Sequence, residues 1–264
     1  MTLRGCSKSL KHLKLEDIEM EDEDEELVNI INTLSIAHPQ LEKLELDGMN
    51  VGRNECVALA NLLRCAATNL QELDLCNNNI DDEGVDALVG ALTNSRLQSL
   101  DLDNNGITAS GCQSIAALLE TPNSNLETLD LTNNNIGDEE ALILANALAN
   151  NRKLKKLDLW VSGVTTEGWS SFSKVLCDTS SINKTFLSNH TLERLGGSPS
   201  LPADLRSLLA LNRSSEDKNQ VAIKKILKHH RHYNMQPFFE WDLKVLPIAV
   251  NWFDQAISID DEDD

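Results

Sequence analysis

The chain has 264 residues, of which 41% are apolar and only 4% aromatic. This length allows one elongated repeat domain or two small globular domains, and the apolar fraction is sufficient for a buried core. The formal charge is −19 at pH 7, from 23 lysines and arginines against 42 aspartates and glutamates. Such a surface repels nucleic acid and anionic membranes and attracts basic partners.

The chain shows no secretory signal and no membrane span. The stretch from Met1 to Lys14 has no long apolar run, and no segment reaches ~18 consecutive apolar residues. None of the six cysteines forms a CxxC pair or has a histidine at zinc-ligand spacing, so we expect no metal and no cofactor. The six are Cys6, Cys56, Cys65, Cys76, Cys112 and Cys177. Cys56 and Cys112 fall on apolar helix faces, and we interpret them as small buried hydrophobes, which suits the cytoplasm, or the nucleus.

A Leu-x-x-Leu-x-Leu string recurs along the chain with a period of roughly 28 residues, which is typical of a repeat architecture. Its copies begin at Leu10, Leu41, Leu70, Leu97, Leu126 and Leu154. A seventh, degraded copy is predicted to begin at Ile182 and keeps only Leu187.

Each copy continues in a similar way. Three of them place an asparagine shortly after the leucines, at Asn78, Asn105 and Asn134, and apolar pairs spaced by four residues follow. Leu-x-Leu alternation predicts a short strand, and spacing by four predicts one face of a helix. The asparagine side chain can bond backbone groups in the turn between them. The units are too small to bury their apolar sides alone, so neighbours stack and share a core.

The stretches 70–92 and 126–148 resemble the ribonuclease-inhibitor class of leucine-rich repeats, and the resemblance covers about residues 10–188. It implies an α/β fold, a right-handed solenoid with a parallel inner sheet and outer helices. It does not fix the function, because the class includes inhibitors, GTPase activators, cytoskeletal caps and immune sensors.

Some copies depart from this pattern. The first contains an acidic insertion at 16–26, and Met49 and Ser162 stand where the turn asparagine is expected. We expect the turn bond to be absent or water-mediated in those two copies. The array begins close to Met1, which leaves little chain for an amino-terminal cap.

The carboxyl-terminal part differs in composition, since all ten aromatic residues follow position 159. We predict six to seven repeats over 1–198, a helical cap or extension over 199–258 and an acidic tail over 259–264. Helices are expected at 202–211, 216–233 and 241–257, with Trp241, Trp252 and Phe253 buried. A cap would cover the last repeat; a separate binding module is the alternative. The basic residues of 224–232 are interpreted as a solvated helix end rather than a metal site.

The sequence contains no motif of a catalytic site. It has no GxSxG, no Walker-type loop, no HExxH and no cysteine with a suitable histidine partner. Its many carboxylates are expected on an open face, whereas catalytic carboxylates need a pocket that shifts their pKa values. We therefore predict that the protein is not an enzyme.

Alternation along each strand identifies the side chains that point away from the core. Five carboxylates fall at equivalent positions and are predicted to form a column across the concave face, where adjacent pairs at ~5 Å repel by about 0.8 kcal/mol in water. A cationic partner would relieve this repulsion, so the column can be interpreted as a recognition surface. The alternative interpretation is that aspartate is common at this position in this class of repeat and has no role in binding. The predicted partner-binding residues are Glu45, Glu72, Asp74, Asp101, Asp103, Asp130, Asp158 and Trp160.

These features predict a monomeric scaffold that binds another protein with a basic surface through the concave sheet. Three alternatives stay open: a regulator similar to the Ran GTPase-activating protein, a true ribonuclease inhibitor, and an actin cap similar to tropomodulin. Seven repeats curve through too little of a horseshoe to enclose a ribonuclease, and no catalytic residue can be matched to the Ran activator.

Overall fold

The structure is a computed structural model, and it describes residues 10–18, 23–65, 67–160, 163–196 and 201–230. Within these ranges, seven strands form one parallel sheet in chain order. The strands are β1 (His12–Glu16), β2 (Lys43–Asp47), β3 (Glu72–Asp74), β4 (Ser99–Asp101), β5 (Thr128–Asp130), β6 (Lys156–Asp158) and β7 (Arg194–Leu195).

The leucines of the repeat lie in register across the sheet, with Leu73 opposite Leu100 and Leu100 opposite Leu129. From β2 onward these central leucines are at most 3% exposed. The predicted parallel sheet with buried leucines is therefore confirmed. The strands are short because three residues suffice to place one leucine inward and its two neighbours outward.

A helix follows each of the first six strands and packs beside the helices of the neighbouring repeats. Their bounds are α1 (Glu23–Ala37), α2 (Arg53–Arg64), α3 (Asp82–Leu92), α4 (Ala109–Glu120), α5 (Asp138–Leu148) and α6 (Thr166–Leu176). Cys56 and Cys112 lie on the buried faces of α2 and α4, and burial raises the pKa of each thiol to about 12. They are thus part of the core, as the sequence suggested.

The turn asparagines connect neighbouring repeats. Asn78 Nδ2 donates to Leu75 O of its own repeat and to Leu46 O of the preceding one. Its Oδ1 accepts the backbone N–H groups of Met49 and Val51. Asn105 and Asn134 form the same kind of bonds one and two repeats later. The turn bond at Met49 was expected to be absent or water-mediated, but Asn78 of the next repeat supplies it. Ser162, the other position without a turn asparagine, lies outside the described residues.

Two helix starts are bonded to the helix before them. Asp82, the first residue of α3, accepts the backbone N–H of Thr108 at 2.8 Å and its hydroxyl at 2.5 Å. Asp138 of α5 does the same for Thr165, which precedes α6. These carboxylates satisfy donors that a helix amino terminus leaves free.

The seventh repeat lies later in the chain than predicted. The segment expected to be its strand forms a helix instead, α7 (Ile182–Leu187), and Leu187 is exposed. The strand of this repeat is β7, in which Leu195 is buried, and Leu192 just before the strand is buried as well. The prediction was wrong because α7 lengthens the sixth repeat, so a period of roughly 28 residues ends too early.

In the part of the chain that the structure describes, two helices follow β7: α8 (Ala203–Arg213) and α9 (Lys218–His229). They correspond to the first two helices predicted after the repeats, although α9 ends before the expected boundary. Leu205, Leu208 and Leu209 of α8 are buried, and α8 packs on α6 as the helix of a further repeat would.

Of two further predictions about the carboxyl-terminal part, one concerns residues that the structure does not describe and the other is wrong for two residues. The expected third helix at 241–257, with Trp241, Trp252 and Phe253, lies outside the described residues. The interpretation of 224–232 as a solvated helix end is wrong for Lys225, which is 0% exposed, and for His230, which is 2% exposed. Both side chains turn inward: Lys225 bonds to Leu176 O at the end of α6, and His230 bonds to Thr185 of α7.

Candidate protein-binding site

The concave face is the side of the sheet turned away from the helices. Its middle row consists of the residues between the last two leucines of each motif, and the strand register places them directly opposite one another. The row begins with Lys14 on β1, and the five predicted carboxylates follow it, one on each of the next five strands. The middle row is Lys14, Glu45, Asp74, Asp101, Asp130 and Asp158.

Three of these carboxylates are also bonded to their own backbone. Oδ1 of Asp74, Asp101 and Asp130 accepts the N–H of the residue two positions later, at 2.9 to 3.1 Å. Each aspartate thereby satisfies a donor at the end of its strand. This bond explains why aspartate suits the position structurally, and it leaves the second oxygen of each carboxylate for other contacts.

The carboxylates at the β1–β2 end of the row are neutralised by the protein's own cations. Glu45 accepts from Lys43 at 2.6 Å and lies 3.3 Å from His12, while Lys14 pairs with Glu16 at 2.7 Å. The hydrogen bond from Lys43 lowers the pKa of Glu45. Glu72 is exposed and pairs with Lys43 at 3.4 Å. Two of the predicted binding residues, Glu45 and Glu72, therefore already have cationic partners.

The opposite end is neutralised by Arg194 of β7. Its Nε donates to Asp158 Oδ1 at 3.0 Å, and Asp158 is only 8% exposed. Arg194 was missed in the sequence because the seventh repeat was placed too early. The signal that could have found it is the Leu-x-x-Leu spacing of Leu192 and Leu195, which puts Arg194 on the concave side of β7.

The centre of the face is not neutralised. Within the described ranges, no ion pair is formed by Asp74, Asp101, Asp103 or Asp130. The pKa of Asp101 is raised to about 7, chiefly by burial and then by Asp130 and Asp74. Burial also raises the pKa of Asp74. The structure thus brings together four of the predicted residues as an uncompensated acidic centre.

Trp160 lies at the β6 side of this centre. It follows the strand at the position that Thr132 and Asp103 hold in the two preceding repeats, and 52% of its surface is exposed. Asp103 in turn accepts a hydrogen bond from Asn133 Nδ2 at 2.8 Å. An indole beside carboxylates offers both apolar contact area and a face that attracts cations.

Other classes of site find little support in the described part of the chain. No group of three or more His, Cys, Asp or Glu side chains there is arranged to hold a metal ion. None of the helices in those ranges has the length and apolar character needed to cross a membrane. A cleft of about 440 Å³ lies away from the concave face, between α6, α8 and α9.

Comparison with known proteins supports the repeat. A family model for two copies of a leucine-rich repeat matches residues 68–115, and a model for a single leucine-rich repeat matches 123–139. Mouse ribonuclease inhibitor is 32% identical over 196 residues, which are 74% of this chain and 42% of that protein. The mouse NACHT, LRR and PYD domains-containing protein 5 is 32% identical over 150 residues, which are 56% of this chain and 13% of that protein. The chain therefore matches less than half the length of either relative.

Solved structures show a more distant similarity. The actin-binding site 2 of leiomodin-1 is 16% identical with a TM-score of 0.42, covering 81% of this chain and 99% of that one. An internalin from Listeria monocytogenes is 17% identical with a TM-score of 0.39, covering 72% of this chain and 48% of that one.

Proposed function

Because this chain is a leucine-rich repeat protein of the ribonuclease-inhibitor-like type, we propose that it is a scaffold that binds a basic protein on its concave face and does not itself catalyse a reaction. Leucine-rich repeat proteins generally mediate protein–protein interactions. The proposal adds the location of the surface and the charge of the partner.

One observation supports this location above others: among the described residues, the central carboxylates of the concave face form no ion pair, whereas those at both ends do. Like charges held on adjacent strands repel, and a lysine or arginine of a partner would relieve that repulsion. The exposed ring of Trp160 would contribute apolar burial at the edge of the same surface. Asp74, Asp101, Asp103, Asp130 and Trp160 are thus the proposed contact residues.

The proposed compartment is the cytoplasm or the nucleus, and the proposed state is a monomer. The compartment is supported by Cys56 and Cys112, which are free thiols buried in the core and suit a reducing environment. The monomer is supported by the shared core of the repeats, which buries the sheet leucines without a second copy.

The test compares proteins captured from a lysate by three immobilised forms of the full chain. These are the wild type, the double variant Asp101→Asn/Asp130→Asn, and a control with the same charge change on the exposed helix side, Glu120→Gln/Glu139→Gln. A partner of the concave face is retained by the wild type and the control at low salt, and is lost from the double variant.

Binding kinetics of the captured partner then test the electrostatic argument. Charge on an open surface mainly sets the association rate and is screened by salt. We expect the double variant to associate more slowly and with a weaker salt dependence than the control. A partner that binds the double variant at the wild-type rate at every salt concentration would place the binding surface elsewhere.

A second candidate is inhibition of a ribonuclease, favoured by the 32% identity to mouse ribonuclease inhibitor. The match spans only 42% of that protein, so more than half of the inhibitor has no counterpart in the match. We expect that an equimolar amount of this chain leaves ribonuclease activity unchanged. Stoichiometric loss of activity in an RNA-cleavage assay would establish the inhibitor instead.

A further inference from the structure

Lys225 of α9 has an environment that its sequence neighbours do not suggest. The residue is 0% exposed, although it belongs to a run of basic residues. Its Nζ donates to Leu176 O at the end of α6, at 2.5 Å, and to Asn189 O at 3.1 Å. The same nitrogen lies 3.0 Å from His190 Nδ1. Lys225 thus connects α9 to the sixth and seventh repeats through three contacts.

None of these three acceptors is a carboxylate. Burial lowers the pKa of Lys225 to about 7, and Lys218 and Arg152 act in the same direction while Cys177 opposes them. Asp178, in the turn after α6, accepts a hydrogen bond from the backbone N–H of Ser180. Among the described residues, the titratable and charged groups around the contact are Cys177, Asp178, Arg152, Lys218 with its partner Glu193, Lys228 and His230.

The protonation state of His190 follows from its two ring contacts. Its Nε2 lies 2.9 Å from Phe186 O, and a carbonyl can only accept, so Nε2 holds the ring proton. Nδ1 is then the bare nitrogen and accepts from Lys225. Burial, followed by the charge of Lys225, lowers the pKa of His190 to about 4. The geometry therefore requires a neutral imidazole.

A proton on Nδ1 would remove the acceptor and place two cationic groups 3.0 Å apart inside the protein. Such a pair cannot persist without a carboxylate to compensate it. We propose that the Lys225–His190 contact is an acid-sensitive latch, which holds α9 on the last repeats at neutral pH and releases it when His190 takes up a proton.

The direction of the pH dependence can be derived from the same groups. In the released state His190 has its ordinary pKa near 6.5, above its value in the docked state, so acid favours release between pH 6.5 and about 4. Lys225 contributes to release in the same direction but at higher pH. Docking lowers its pKa from 10.5 to about 7, so a fall in pH through that range also favours the released state. Release would uncover Val221 and Ala222 of α9, which are at most 1% exposed when it is docked.

Hydrogen–deuterium exchange of the full chain tests the latch. After correction for intrinsic exchange rates, we expect the amides of α9 to lose protection between pH 6.5 and pH 4.5, by up to ~100-fold for one linked proton. The amides of α4 and α5 should keep theirs. Equal protection of α9 at both pH values would overturn the proposal.

Two variants separate the latch from general acid unfolding. His190→Asn keeps an oxygen acceptor near Lys225 and cannot be protonated, so α9 should stay protected at pH 4.5. The control is His12→Asn on β1, which should respond as the wild type does. A wild-type acid response in His190→Asn would refute the latch.

A second variant covers the case in which His190→Asn does not hold α9 at neutral pH. Lys225→Gln keeps a donor for the two carbonyls but removes the cation beside His190. The midpoint of acid release should then move to lower pH, because a protonated His190 no longer faces a second cation, whereas a purely structural lysine would leave the midpoint where it was. A midpoint equal to that of the wild type would overturn the proposal.

Discussion

Asp101 and Asp130 lie directly opposite each other on β4 and β5, and each Oδ1 accepts the N–H of the residue two positions later. Burial is the main cause that raises the pKa of Asp101 to about 7, and the charge of Asp130 adds to it. The centre of the concave face is thus held in place by backbone bonds and is electrostatically strained at neutral pH.

This strain predicts a pH dependence for Asp101→Asn. An unfolded aspartate has a pKa near 3.9, so the folded protein binds more protons between about pH 4 and about pH 7 and loses stability as pH rises through that window. We expect Asp101→Asn to melt at a higher temperature than the wild type at pH 7.5, with an advantage that shrinks by pH 5. Asp86→Asn, exposed on α3, is the control. A difference in melting temperature between Asp101→Asn and the wild type that stays the same at all pH values would contradict this prediction.

Trp160→Ala should affect binding but not folding. The ring is half exposed, so its removal leaves no buried cavity, and the melting temperature should stay close to that of the wild type. If the proposed surface is correct, dissociation of the partner should accelerate at a cost of roughly 2 kcal/mol. Surface binding kinetics measure this. Ile36→Ala, at an exposed site on α1, should bind normally; a normal dissociation rate for Trp160→Ala as well would exclude the ring from the interface.

Gly111 and Gly90 should respond in opposite ways to alanine. A Cβ at Gly111 would lie 2.6 Å from the carboxylate oxygen of Asp82 that holds Thr108, so Gly111→Ala should cost about 2 kcal/mol of unfolding free energy. A Cβ at Gly90 meets only the far end of Arg64, so Gly90→Ala should gain up to ~1 kcal/mol from helix propensity. Urea unfolding of both variants measures the difference, and a destabilised Gly90→Ala would be unexpected.

Asn134→Ala should be among the most damaging polar substitutions in the array. Asn134 is 7% exposed, and the loss of its side chain leaves Leu131 O and Ile107 N–H without their partner. Unsatisfied buried groups of this kind cost about 1–3 kcal/mol each, so a loss of ~3 kcal/mol is expected in chemical unfolding. Asn146→Ala, on the exposed side of α5, serves as the matched control and should be close to neutral. If the two substitutions lowered the free energy of unfolding equally, the turn hydrogen bonds of Asn134 would make no contribution to stability.

The parts of the fold that repeat could be predicted from the sequence. The leucines of β2 to β6 and the apolar pairs of the helices recur with a regular period, and stacking leaves them one arrangement that buries them all. The sequence also placed Asp101 and Asp130 on one face. It could not show that Asp158 is paired with a cation, because that pair depends on Arg194 of the neighbouring strand β7.

Two features were missed although a signal was present. Lys225 follows Val221 by four residues and Ala222 by three, which places it on the buried side of α9. The prediction nevertheless placed Lys225 in solvent, because a charged lysine is rarely buried. The position of β7 was missed since an inserted helix interrupts the period, yet Leu192 and Leu195 keep the spacing of the motif.

The asparagine bonds also bear on how the chain is made. A ribosome releases the protein from its amino terminus, so the turn at Val51 emerges before Asn78, whose Oδ1 accepts the Val51 N–H at 2.9 Å. The same delay recurs for Ile80 and Asn105, and for Ile107 and Asn134. Each nascent turn therefore waits for a side chain from the next repeat, and the folded array grows one unit behind translation.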